Sequence, residues 1–176
     1  MKKNIIIAGF GGQGILFAGK LLAYAAMKSG REISWLPSYG PEMRGGTANC
    51  HIVVSDEPIG SPIVTNPDIL ITMNTPSLDK FEDKVAAGGM VFVDKSLVLR
   101  KVERTDIKVK YIEATKIAME LGNAALANMV ILGAFLKETG LFIVDEIKDA
   151  IINNIPKTKQ GLAEIDIKVV TAGYMS

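Results

Sequence analysis

Gly9, Gly11 and Gly14, with Gly12 and Gln13 among them, follow the spacing G-x-G-x-x-G between an aliphatic run and a helical pattern. Glycines so spaced let a chain turn tightly and let a ligand approach the start of the helix. There, free N–H groups and the helix dipole attract anions. Two readings of the loop stand side by side. Either it receives a phosphate or pyrophosphate from a cofactor shared with a neighbouring subunit, or its glycines only permit close helix–strand packing.

A second group of residues lies one βα unit further on, from Ser38 to Cys50. It contains Ser38, Tyr39, Gly40, Glu42, Arg44, Gly45 and Gly46. The adjacent glycines after Arg44 allow positive φ or close approach to a partner. Arg44 carries a planar donor fork suited to a carboxylate or a phosphate. Glu42 could pair with it inside a surface turn. The preferred reading is a loop facing a ligand or another protein at the end of a strand, where open α/β sheets bind. Asn74 is a third candidate. It ends an aliphatic run before Thr75-Pro76-Ser77, so its amide either reaches into the crevice or caps the next helix.

Familiar nucleotide chemistries fit poorly. A ribose-binding acid should stand roughly 20 residues beyond the glycine loop. That region reads Ile33-Ser34-Trp35-Leu36-Pro37 and holds none. Glu32 precedes it, at the wrong end for the crevice, and Glu42 falls in the next loop. This argues against an NAD-dependent dehydrogenase. The loop also lacks the Lys-Ser/Thr pair of a P-loop. Cys50 and His51 are neighbours on a strand, so they point to opposite faces. A buried thiol beside a partly exposed imidazole is expected, and no base is marked for a cysteine nucleophile.

The surrounding pattern is that of one α/β domain over residues 1–176. Ile5 to Ala8 is apolar throughout, as in a strand buried on both faces. Ile15, Ala18, Leu22 and Ala25 recur at helical spacing as far as Ser29-Gly30. Ile33 to Leu36 follows as a strand, completing a βαβ unit with an expected right-handed connection. Further strands are expected at 48–55, 68–73, 90–93 and 107–112, the last more exposed. Short helices are expected after Pro76 and at 117–121. The segment 124–139 is apolar nearly all round, which predicts a buried helix capped by Gly140. Ile143, Ile147, Ala150 and Ile151 predict an amphipathic helix ending before Pro156. From Gln160 onward the pattern is weak, suggesting an edge strand or a docked tail. The fold class is a three-layer, Rossmann-like sheet, mostly parallel or mixed, with helices on both faces.

Composition narrows the function. The chain has 176 residues, 20 basic and 19 acidic, so the charge excess needed to hold nucleic acid is missing. One Cys and one His cannot close an iron–sulfur or structural zinc site alone. The low cysteine count fits a reducing cytoplasm. The apolar run after Met1-Lys2-Lys3-Asn4 is too short for a signal peptide, and no stretch would cross a bilayer.

The glycine loop, Ser38 to Gly46, Ser61-Pro62 and Met73-Asn74-Thr75-Pro76-Ser77-Leu78 together resemble the gamma subunit of 2-oxoacid:ferredoxin oxidoreductases. The likeness covers nearly the whole chain and weakens after Gln160. Within that family, the loop 38–46 looks more like the 2-oxoglutarate or branched-chain (2-oxoisovalerate) enzymes than the pyruvate enzymes. The resemblance implies a complex that oxidatively decarboxylates a 2-oxoacid with coenzyme A, giving acyl-CoA, carbon dioxide and reduced ferredoxin. It implies alpha and beta subunits that bind thiamine diphosphate and Mg, and a ferredoxin-like delta subunit with iron–sulfur clusters. This chain would be structural and coenzyme A-facing, and inactive alone. A partner-binding face left bare would let the isolated chain self-associate. The alternatives are a subunit of indolepyruvate:ferredoxin oxidoreductase and a stand-alone anion- or nucleotide-binding module.

Overall fold

A computed structural model describes residues 1–38 and 47–176. Six strands form one sheet: β1 (Lys2–Phe10), β2 (Glu32–Ser38), β3 (Thr47–Ser55), β4 (Ile69–Thr72), β5 (Met90–Asp94) and β6 (Lys108–Ile112). Six α-helices accompany them: α1 (Ile15–Lys28), α2 (Thr75–Phe81), α3 (Ala114–Glu120), α4 (Ala127–Thr139), α5 (Val144–Asn154) and α6 (Gln160–Met175). The spatial order is β2-β3-β1-β4-β5-β6. Strands β1, β4, β5 and β6 run parallel, while β3 runs antiparallel to both β1 and β2. The sheet is therefore mixed.

Alternation along β1 divides the core. Ile5 and Ile7 face a large cluster with α1, α3, α4, α5 and α6. Ile6 and Ala8 face a smaller cluster with Leu78 and Phe81 of α2 and with loop residues Val64, Val85 and Val98. Both faces are covered, which is why β1 reads as an unbroken apolar run. The layers are unequal: five helices on one face, and α2 with extended chain on the other.

Two expectations are corrected. The βαβ reading put β2 beside β1, but β3 lies between them. The burial pattern explains the order. β3 is covered on both faces along most of its length, whereas β2 is covered on only one. The less apolar strand takes the edge, where Pro37 has no second partner to deprive of an N–H. The strand that a ribose-binding acid would occupy, next to β1, is therefore not Glu32–Ser38. Beside β1, it is Asn49 of β3 that pairs with Ala8.

The second correction concerns the C-terminus. Residues from Gln160 form a 16-residue helix, α6, not a strand or tail. Its buried face is made of small and branched residues: Ala163, Val169, Val170 and Gly173. Small residues give little amphipathic signal, yet they let backbones come close. A Cβ on Gly133 of α4 would strike the backbone of Val170 and Tyr174, and one on Gly173 would strike Val130. The pair of glycines thus brings α6 onto α4. No helix among the described residues is long and apolar enough to cross a membrane.

Candidate functional site

The C-terminal end of β1 organises the site. Phe10 closes the strand, and Gly12 (φ +94°) and Gly14 (φ +70°) take left-handed conformations that L side chains rarely adopt. Gly14 is the N-cap of α1 and has no side chain to offer the helix. The first bonded amide is that of Ala18, which donates to the Gly14 carbonyl at 3.0 Å. The N–H groups of Ile15, Leu16 and Phe17 are thus the unpaired donors expected at a helix start. They border a cleft of about 280 Å³ lined by Phe10, Gly11, Gly12, Leu16, Phe17 and Ala48. A second hollow, about 260 Å³, lies across the loop between Gly12, Gln13, Met73, Leu97 and Ala124. No cation lines either hollow among the described residues.

The loop residues divide by role. Gln13 spends its amide on the loop itself. Its Oε1 accepts from the Phe10 N–H at 2.6 Å, and its Nε2 donates to the Met73 carbonyl at 3.2 Å. It ties the ends of β1 and β4 together. A Cβ on Gly9 would meet Gln13 Oε1 at 2.6 Å and Ile15 Cδ1 at 2.7 Å, so a side chain here would displace one of them. Nothing lies within 4 Å of a Cβ position on Gly12, which leaves that side of the turn open.

Asn128 was not among the sequence candidates. It lies in the first turn of α4, is almost wholly buried, and donates from Nδ2 to the Gly14 carbonyl at 3.1 Å. Its Oδ1 has no partner among the described residues. A lone amide within Ala124 to Leu136, apolar at most other positions, was the signal available, because a buried polar group needs a hydrogen-bonding reason to be there.

Asn74 caps α2. Its Oδ1 accepts from the Ser77 N–H at 2.8 Å, and the side chain lines neither hollow. Of its two readings, the cap is the one with a contact. Asn74 Nδ2 and Ser77 Oγ are buried without a partner among the described residues. Ser38 ends β2 opposite Asn49 and is exposed. Tyr39, Gly40, Glu42, Arg44, Gly45 and Gly46 lie outside the described residues.

The register nevertheless fixes where that segment leaves and re-enters the sheet. Thr47 pairs with Phe10, and Ala48 pairs with Gly9. Ser38 and Thr47 therefore stand at the same sheet end as the glycine loop.

Cys50 and His51 behave as their alternation implies. Burial pushes the Cys50 thiol up to about 12, despite lowering contacts from Trp35 and the Ile7 backbone. At neutral pH it is a protonated core residue. His51 accepts from the Val64 N–H through Nδ1 at 3.0 Å. Partial burial, then Lys84 and Lys80, hold its pKa below the ordinary value. No group of three or more metal-binding side chains occurs among the described residues.

Comparison with known proteins decides the family. Residues 4–176 match the family described as pyruvate ferredoxin/flavodoxin oxidoreductase. The chain belongs to that family. Within it, the chain is 38% identical to the 2-oxoglutarate synthase subunit KorC of Methanocaldococcus jannaschii, over 99% of this chain and 93% of the relative. It is 41% identical to the ketoisovalerate oxidoreductase subunit VorA of Methanothermobacter thermautotrophicus, over 97% of this chain but only 35% of that longer relative. The chain thus spans about a third of the length of the VorA relatives. Among solved structures, the gamma subunit of a keto/oxoacid ferredoxin oxidoreductase from Geobacter sulfurreducens aligns with a TM-score of 0.83 at 27% identity, covering 98% of this chain and 96% of that one. The 2-oxoglutarate:ferredoxin oxidoreductase of Magnetococcus marinus shares the fold. Its TM-score is 0.89 at 20% identity, covering 99% of this chain and 30% of that one. The gamma-type likeness read from the motifs is borne out.

Proposed function

We propose that this chain is the gamma-type subunit of a complex that oxidatively decarboxylates 2-oxoglutarate or a branched-chain 2-oxoacid. The products are acyl-CoA and carbon dioxide, with the electrons passing to ferredoxin. The carbon–carbon bond to the carboxylate breaks, and the coenzyme A thiol takes the acyl group. Partner subunits of alpha and beta type would carry thiamine diphosphate and Mg, and a ferredoxin-like delta subunit the iron–sulfur clusters. The isolated chain would be inactive.

Its own contribution would be one edge of the coenzyme A path. The supporting observation is the pairing of Phe10 with Thr47 and of Gly9 with Ala48, which sets the start of β3 beside the open start of α1. Unpaired N–H groups at Ile15, Leu16 and Phe17 suit a phosphate oxygen. The apolar walls Phe10, Leu16 and Phe17 suit a pantetheine arm. A cleft of about 280 Å³ accepts part of coenzyme A, not the whole molecule. Positive charge would have to come from outside the cleft, and Arg44 is the residue of this chain assigned to supply it.

The test is Arg44→Ala in the assembled complex. A rise of about ten-fold or more in the KM for coenzyme A, with unchanged KM for ferredoxin and intact assembly, is the expected result. An unchanged KM for coenzyme A removes the ligand role. Failure of the wild-type chain to assemble with such subunits removes the subunit reading itself.

A further inference from the structure

Asp166 sits in the middle of α6 and is only 7% exposed. No ion pair or hydrogen bond reaches its carboxylate among the described residues, and burial alone raises its pKa. Its neighbours one helical turn away are Leu162, Ala163, Val169 and Val170, none of them cationic. The carboxylate borders a hollow of about 330 Å³ walled by Phe17, Leu126, Ile155, Leu162 and Ile165, with Asn123 as its one other polar residue. Leu162 and Ile165 are 52% and 44% exposed. A mostly buried acid beside a largely apolar hollow, without a counter-charge among the described residues, is a costly arrangement. It becomes favourable when a cation is buried with it in good geometry.

An arginine on another polypeptide matches both halves of the hollow. Its planar fork pairs with a carboxylate, and its aliphatic stem lies along apolar walls. A small cation would leave Leu162 and Ile165 in water, whereas a protein segment would cover them. The position favours protein as well. Phe17 lines both this hollow and the glycine-loop cleft, so the two surfaces are continuous. In the longer VorA relative, the matched unit is 35% of one polypeptide, which gives it protein neighbours in the same chain.

We propose that the hollow bounded by α1, α6, the turn before α4 and the end of α5 docks a partner subunit that inserts an arginine, flanked by apolar residues, against Asp166. The inference rests on the subunit reading above and adds the surface and the chemistry of its occupant. Docking here would bring the partner to the mouth of the coenzyme A cleft.

The experiment measures binding of the full chain to its purified thiamine diphosphate-binding partner subunits. Wild type is compared with Asp166→Asn, Leu162→Lys and a control, Leu99→Lys, which is 91% exposed beside α2 on the other face of the sheet. Melting of each isolated chain serves as the folding check. The expected result is binding weakened about ten-fold or more by Asp166→Asn and Leu162→Lys, without a lowered melting temperature, and unchanged by Leu99→Lys. Equal binding by all variants overturns the docking surface and leaves the subunit reading intact. No binding by wild type overturns both. A change only in self-association makes a second copy the occupant and overturns the proposal. Coupling between Asp166→Asn and Arg44→Ala in melting of the isolated chain would place the cation within this chain, with the same consequence.

Discussion

Asn128 in α4 donates to the carbonyl of Gly14 at the start of α1, bridging 114 residues of sequence with a 3.1 Å hydrogen bond. The same carbonyl accepts the first bond of α1, from Ala18. A Cβ on Gly14 would collide with the Asn128 amide. The glycine loop is therefore held by a buried side chain from the other half of the chain, and its shape depends on the docking of α4.

This relationship gives a coupled prediction. Gly14→Ala should destabilise the chain through its positive φ, worth about 1–2 kcal/mol, and through displacement of Asn128. Asn128→Ala alone should cost about 1 kcal/mol, since Gly14 keeps its bond from Ala18. The double variant should be less destabilised than the sum, because the alanine at 128 leaves room for the new methyl. Denaturant unfolding of the four proteins measures the coupling, and strict additivity would sink the account.

The α4–α6 contact should tolerate no side chain at its glycines. Gly133→Ala and Gly173→Ala each press a methyl onto backbone, which cannot rotate away. A loss of about 2–3 kcal/mol is expected for each. By contrast, Gly161→Ala in the first turn of α6 meets nothing within 4 Å and should be neutral or stabilising. Thermal melts of the three variants separate close packing from helix propensity.

Two acids should give opposite pH signatures. Burial tends to raise the Glu82 pKa, but Arg100 and the N–H groups of Arg104 and Glu103 outweigh it and hold it below the ordinary value. The stabilisation from Glu82 is complete above the unfolded pKa and lost as pH falls through the folded one. Glu82→Gln should thus lower stability at neutral pH, by about 2 kcal/mol for its charged hydrogen bonds, with the gap closing in acid. Asp166 is raised, so its contribution is complete below the unfolded pKa and lost as pH rises through the folded one. Asp166→Asn should therefore stabilise the isolated chain at neutral pH, and that gain should vanish in acid. Melting temperatures across pH 3–8 (about the range where carboxylates titrate) check both signs.

Cys50 should be silent toward thiol reagents in the folded chain. Its thiol is fully buried and pushed up to about 12. At about pH 8 an exposed thiol is partly ionised and reacts readily. Native labelling should run at the rate of global opening, and unfolding should release full reactivity. Rapid labelling of the native chain would show that the thiol is not where β3 places it.

The legibility of this protein follows the range of the forces involved. Ile5 to Ala8 and 124–139 could be read because long apolar runs have few soluble explanations. The caps at Asn74 and Gly140 are local chemistry, and both formed: Asn74 accepts from Ser77, and Gly140 closes α4 with φ +58°. The motifs carried the family because they reflect descent as well as physics. α6 escaped notice because helix–helix contact through Gly133 and Gly173 leaves little periodicity in either sequence.

The sequence alone determined the α/β class, the glycine turn, too few cysteines and histidines to close an iron–sulfur or structural zinc site alone, and the gamma-type kinship. These depend on residue type and on contacts within a few positions. Tertiary structure decided the rest. It inserted β3 between β1 and β2, brought Thr47 beside Phe10, set Asn128 against Gly14 and left Asp166 beside a largely apolar hollow. Each of these joins residues far apart in the chain. Such pairings are chosen by which surfaces bury best together, which no short window of sequence records.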